Sequence, residues 1–172
     1  MVKRLILAIN PGSTSTKFSL FEEENLVFEK NLRHTTEELK GFEKITDQFH
    51  FRKDLIMNEL SARKINLKSI TAVVGRGGLV KPIESGIYPV NNRMKEDLIA
   101  GVMGQHASNL GGLIAEDIAS ELPSAIAYIV DPVVVDELQD VARISGHPLI
   151  ERRSIFHALN QKAVARIYAD SI

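Results

Sequence analysis

Leu5-Ile6-Leu7-Ala8-Ile9 runs straight into Asn10-Pro11-Gly12-Ser13-Thr14-Ser15-Thr16-Lys17-Phe18, and this junction decides how the rest of the 172-residue chain is read. A short unbroken apolar run closed by a Pro-Gly turn signal predicts a buried strand. Phe18-Ser19-Leu20-Phe21 predicts a second strand, Glu22 to Asn25 a turn, and Leu26-Val27-Phe28 the start of a third. Short connections between such strands make an antiparallel meander. At the first hairpin, Gly12 is expected to let the backbone turn without a Cβ clash. Small hydroxyl residues and Lys17 follow at once. Backbone N–H groups in such a turn converge on a concavity suited to phosphate oxygens. The hydroxyls add donors and Lys17 a point charge. The segment is not a Walker A loop, which needs Gly-Lys-Ser/Thr leading into a helix. On these residues alone, an ordinary Ser/Thr-rich hairpin is an equally good reading.

Working outward, Thr35 followed by Glu38 predicts a capping box. Gly41 to Lys64 carries apolar residues at 51, 55, 56 and 60, close to helical spacing. Ile70 to Val74 predicts a fourth strand ending at Gly75-Arg76-Gly77-Gly78. Asn91 or Asn92 caps a helix over about 93–100. Leu110, Leu113, Ile114, Ile118 and Leu122 form an apolar stripe, so 109–122 predicts an amphipathic helix that Pro123 stops. Ala125 to Val130 predicts a buried strand ending at Asp131-Pro132. A last helix is expected over about 156–170, with Leu159, Ala163 and Ile167 on one face. Three strands, helix, strand, helix pair, strand, helix is the order of an α/β domain: a mixed sheet with helices on both faces, as in the ribonuclease-H-like core of actin and sugar-kinase-like ATPases.

Composition narrows the function classes. Hydrophobic residues make up 44% and charged residues 25%, a globular mix rather than a disordered one. A net charge of −1 favours neither nucleic acid nor an anionic membrane as partner, and aromatics at 6% without Trp do not make a base-stacking platform. No cysteine is present, which excludes disulfides, thiolate catalysis and Cys-ligated zinc. The histidines show no zinc-ligand spacing. The basic-then-apolar start is too short for a secretory h-region and no apolar run is long enough to span a bilayer, so the chain reads as cytoplasmic.

The hairpin resembles the first phosphate signature of the acetate/butyrate kinase family: an apolar strand followed by Asn-x-Gly-Ser-Ser/Thr-Ser-x-Lys-Phe/Tyr, with every fixed position filled here. Sugar kinases and actins usually carry Asp where this chain has Asn10, so a sugar kinase or chaperone-type ATPase is the weaker reading. Arg152-Arg153-Ser154-Ile155-Phe156-His157 is similar to the family's Arg-Arg-Tyr-Gly-Phe-His segment. Ala158-Leu159-Asn160-Gln161 then departs from the Gly-Thr-Ser-His of acetate kinases. Asp131 ends an apolar strand where the family has an Asp that works with magnesium. Val73-Val74-Gly75-Arg76-Gly77-Gly78 has Arg directly before the Gly pair, which looks like the butyrate kinase version rather than the acetate kinase one.

That resemblance implies ATP-dependent, reversible phosphorylation of a short-chain carboxylate, butyrate or a related acid, to its acyl phosphate. It implies ATP/ADP and Mg as cofactors. It assigns Asn10, Gly12, Ser13, Thr14, Ser15 and Lys17 to the phosphates, and Asn10 and Asp131 to the metal. Arg76, read as an exposed guanidinium on a flexible turn, would hold the carboxylate, and His157 would stabilise the transferring group. His106 either lines the substrate pocket or satisfies a helix start. Phe156 is a candidate wall of the acyl pocket. Residues 1–172 then read as the N-terminal domain of a two-domain acyl kinase. The C-terminal nucleotide-binding domain is absent, the isolated chain is expected to be inactive, and the complete enzyme is expected to be a homodimer. The alternative is a non-catalytic substrate-binding or dimerisation domain.

Overall fold

The computed structural model describes residues 4–155 and 158–172. One mixed sheet carries six strands in the order β3-β2-β1-β4-β6-β5. β1 (Leu5–Pro11), β2 (Ser15–Glu22) and β3 (Asn25–Arg33) form the expected antiparallel meander. β4 (Ile70–Arg76) pairs parallel with β1, and β6 (Ile126–Val130) parallel with β4. β5 (Ile87–Pro89) closes the edge antiparallel to β6. Sequence periodicity gives no sign of β5, because three residues are too few to show an alternation.

Between the strands lie α1 (Thr36–Leu39), α2 (Phe49–Ala62), α3 (Asn92–Ala100) and α4 (Asn109–Ser120), and after β6 come α5 (Asp140–Arg143) and α6 (Ala158–Ala169). The capping box of Thr35 and Glu38 forms, and Asn91 caps α3 by accepting from the Met94 amide. The apolar stripe of α4 packs on the sheet: Leu110, Ile114, Ala115 and Ile118 meet Leu7, Ile9, Val73 and Ala127. Each such Leu or Ile contributes about 1.5–3 kcal/mol on burial. A second cluster joins Leu113 to Leu98, Ile129 and Val134.

Two expectations need correction. Among the described residues α4 packs on one face of the sheet. The opposite face, with Ile6, Ala8, Val74 and Tyr128, stays half-open. β6 is therefore only half-buried, with Ile126 exposed. The expected apolar face of α6 is also uncovered, because Ile167 is 70% exposed and no residue of the helix is buried.

The glycines around Arg76 are steric clearances, not a flexible turn. A Cβ on Gly75 would lie 2.7 Å from the Gly112 amide nitrogen and closer still to the Gly111 carbonyl, so α4 could not sit on β4. A Cβ on Gly77 would lie 2.5 Å from Pro132 Cβ. These contacts press the end of β4 against the end of β6, which fixes where Arg76 and Asp131 stand.

Candidate active site

Register places the polar residues in one row. Asn10 of β1 is opposite Lys17 of β2, and Lys17 is opposite Asn31 of β3. On the other side, Arg76 follows the Ile9–Gly75 pair and is opposite Val130, the residue before Asp131. Directly opposed residues share a face, so Asn31, Lys17, Asn10 and Arg76 form a polar band across the open face. The band lies at the carboxyl ends of β1, β4 and β6, where α/β sheets hold their ligands. Arg76 Nη1 donates to Asn10 Oδ1 at 3.3 Å. Lys17 Nζ pairs with Glu29 Oε2 at 2.9 Å, and Lys17 holds the Glu29 carboxyl below its usual range.

Asp131 sits at the head of a cleft of about 440 Å³ that Arg76 also lines. Its backbone is left-handed, with φ of 40°, an uncommon conformation that costs a side-chain-bearing residue about 1–3 kcal/mol. Its Oδ1 accepts from the Gly86 amide at 3.0 Å. Opposite these charged groups the cleft is walled by Pro132, Val133, Val135, Leu159 and Ala163. Phe156 and His157 lie outside the described residues, although Ala158 and Leu159, next in sequence, line the cleft.

The hairpin tip is built differently from expectation. Gly12 donates its N–H to the Ser15 carbonyl at 2.7 Å. A Cβ on Gly12 would meet Ser15 Oγ at 3.4 Å and its carbonyl at 3.5 Å, ordinary contacts, so the turn itself does not require glycine. Ser13 and Thr14 are exposed, and Ser15 shares a face of β2 with Lys17. Beneath the tip, α2 carries two cations on its buried face that periodicity did not single out. Arg52 and Lys53 are buried there beside Ile56 and Leu60. Lys53 bonds Asp117 at 2.5 Å and also Glu121, locking α2 to α4. Arg52 bonds the hairpin.

His34 is buried, and its Nε2 lies 2.8 Å from Thr16 Oγ1. Burial, and secondarily the charge of Arg52, pulls this imidazole below its usual value. His106 accepts from the Ser108 amide at 3.2 Å just before α4, which matches the helix-start reading. No cluster of three or more acidic, His or Cys side chains suited to a metal occurs among the described residues. Asn10 and Asp131 do present oxygen donors of the kind magnesium takes. No helix among the described residues is long and apolar enough to cross a membrane.

No protein-family model matches the chain. Butyrate kinase 1 of Clostridium acetobutylicum is 60% identical over 167 residues, 97% of this chain and 47% of that protein. Butyrate kinase 2 of the same organism is 57% identical, over 98% of this chain and 47% of its own length. A probable butyrate kinase of Clostridium botulinum is 58% identical, covering 95% and 46%. The chain thus spans about half the length of the curated relatives it matches. Among solved structures, a propionate kinase from Francisella tularensis superposes with a TM-score of 0.64 at 16% identity, over 97% of this chain and 48% of that one. An acetate kinase from Entamoeba histolytica does so at 0.62 and 16%, over 98% and 46%. At that identity the structures speak for the fold alone.

Proposed function

We propose that the chain, 57–60% identical to butyrate kinases over nearly its whole length, is a member of the acetate/butyrate kinase family and carries the carboxylate and phosphate half of a site that phosphorylates butyrate or a related short-chain acid with ATP. The observation behind this reading is the polar row itself, which joins the hairpin at one end to the Arg76–Asp131 cleft at the other. A second domain, outside this chain, would hold the adenosine. The complete protein would be cytoplasmic and pair as a homodimer.

The acceptor is a carboxylate already ionised near neutral pH, so no general base is needed. One carboxylate oxygen attacks the terminal phosphorus of ATP while the bond to the bridging oxygen breaks, giving acyl phosphate and ADP. Catalysis then rests on alignment and on neutralising the phosphoryl oxygens. Arg76 would grip the carboxylate with its fork. The walls of Pro132, Val133, Val135 and Leu159 would take the alkyl tail, with Phe156 a further wall. Ser13, Thr14 and Ser15 would donate to the phosphates, with Gly12 leaving room for their approach. Lys17 would exchange Glu29 for a phosphoryl oxygen, a cheap exchange because an exposed ion pair is worth only about 0–1 kcal/mol. Magnesium, when bound, would neutralise phosphate charge. Asn10 and Asp131 would hold it with their side-chain oxygens. His157 would stabilise the transferring group.

The test is acyl phosphate formation from butyrate and ATP, trapped as the hydroxamate, by the complete protein. Lys17→Ala should cut turnover about a hundredfold or more. Near-normal turnover in that variant removes Lys17 from the phosphate path, and no product from the unaltered protein removes the kinase reading. The alternative, a non-catalytic half that binds substrate or dimerises, draws on the uncovered face of α6, with Val164, Ile167 and Tyr168 exposed.

A further inference from the structure

Arg52 is fully buried, yet none of its partners is a carboxylate. Nη1 donates to the Gly12 carbonyl at 2.8 Å, the Ser15 carbonyl at 2.8 Å and Thr16 Oγ1 at 2.9 Å. Nη2 donates to the Ser13 carbonyl at 3.1 Å and to Gln48 Oε1 at 2.8 Å, and Nε donates to Gln48 Oε1 at 3.0 Å. A buried cation without an anionic partner is expensive. Burial alone pulls its pKa down to about 10, which still leaves it charged at neutral pH. A hairpin that only had to reverse the chain would not need it, since Ser/Thr-rich turns close by themselves.

What the guanidinium does to the turn follows from peptide geometry. In a trans peptide the C=O of one residue and the N–H of the next point in opposite directions. Drawing the Gly12 and Ser13 carbonyls inward therefore turns the N–H groups of Ser13 and Thr14 outward, away from α2. A planar fork can hold several oxygens at fixed angles, whereas a Lys ammonium cannot. Its unbalanced charge also raises the potential on the far side of a thin layer of backbone, where screening by solvent is weak. Thr16 completes the fixture. It accepts from Arg52, and the same Oγ1 lies 2.8 Å from His34 Nε2.

We infer that Arg52, clamped by Gln48, is a positioning residue that presets the Gly12–Ser15 hairpin as an anion cradle. It acts from behind through backbone carbonyls and never touches the ligand. The inference deepens the phosphate reading above and rests on it.

The experiment uses the ¹⁵N-labelled 172-residue chain with inorganic phosphate as probe. Arg52→Lys keeps the charge and loses the fork. The expected result is that the amides of Leu7, Val73 and Ile129 keep their shifts while those of Ser13 and Thr14 move and exchange faster. Phosphate affinity, read from the hairpin amides, should fall about tenfold or more. Unmoved Ser13 and Thr14 amides, or phosphate affinity equal to that of the unaltered chain, overturn the positioning role. If Arg52→Lys loses the core amide pattern, Gln48→Met gives the same reading by freeing one edge of the guanidinium. The failure of the underlying reading looks different: the unaltered hairpin then shows no response to phosphate at all, and both claims fall together.

Discussion

At the residue scale, what a position needs can be separated from what its neighbours need. Gly12 is the clearest case. Its backbone conformation suits any residue and an added Cβ meets only ordinary contacts. Gly12→Ala should leave stability unchanged or raise it by up to about 1 kcal/mol, because the unfolded chain loses freedom. The same change should weaken phosphate binding, since the methyl would stand where the ligand approaches. Urea unfolding and hydroxamate turnover, measured together, check this split. His34 gives a pH signature. Burial, and the charge of Arg52, hold its folded-state value below the usual value of about 6.5, with Glu38 opposing. On acidification the unfolded chain therefore takes the proton first. The stability tied to the neutral imidazole is present above about pH 6.5 and is lost as pH falls below it. Urea unfolding of the unaltered chain should weaken between about pH 7 and 5 more steeply than that of His34→Gln. Equal slopes would mean that the imidazole titrates as it does in the unfolded chain.

At the scale of elements, the sequence made the strands and helices readable wherever an apolar period could be followed. Leu5 to Ile9, the stripe of α4 and the caps at Thr35 and Asn91 all fell where pattern and capping chemistry put them. The turn was legible because Pro11-Gly12 stands between two apolar strands, and its phosphate role is a proposal drawn from its residue types. The misses have physical causes. β5 is too short to carry a period, and α5 is a single turn. On α2 the buried face holds Arg52 and Lys53, so a reading by hydrophobicity passes over the residues that matter most there. The glycines around Arg76 read as flexibility because sequence cannot show what lies opposite them. Gly75→Ala tests their real role. Its Cβ would drive α4 off β4, and overpacking of this kind costs about 1–3 kcal/mol. The urea midpoint should fall accordingly, whereas an unchanged midpoint would mean that the helix and strand are free to part.

At the scale of the whole molecule, the sheet works as a ruler. Parallel strands β1, β4 and β6 end side by side, and close glycine packing keeps those ends in register. The hairpin and Lys17 stand at one end of the polar row, and Arg76 with the cleft at the other. Neighbouring strands are about 4.8 Å apart, so Lys17 on β2 and Arg76 on β4 stand two strand spacings, about 10 Å, apart, with the proposed carboxylate and phosphoryl group between them. The open face beyond the row and the flank of α6 are uncovered among the described residues. The division of labour along the row is the central claim, and one measurement tests it directly: the Michaelis constants for butyrate and for ATP in Arg76→Ala of the complete protein. A charge-assisted fork is worth about 1.5–3 kcal/mol, so the butyrate constant should rise about 10- to 100-fold while the ATP constant stays within about twofold. An unchanged butyrate constant, or an equal rise in both, would contradict it.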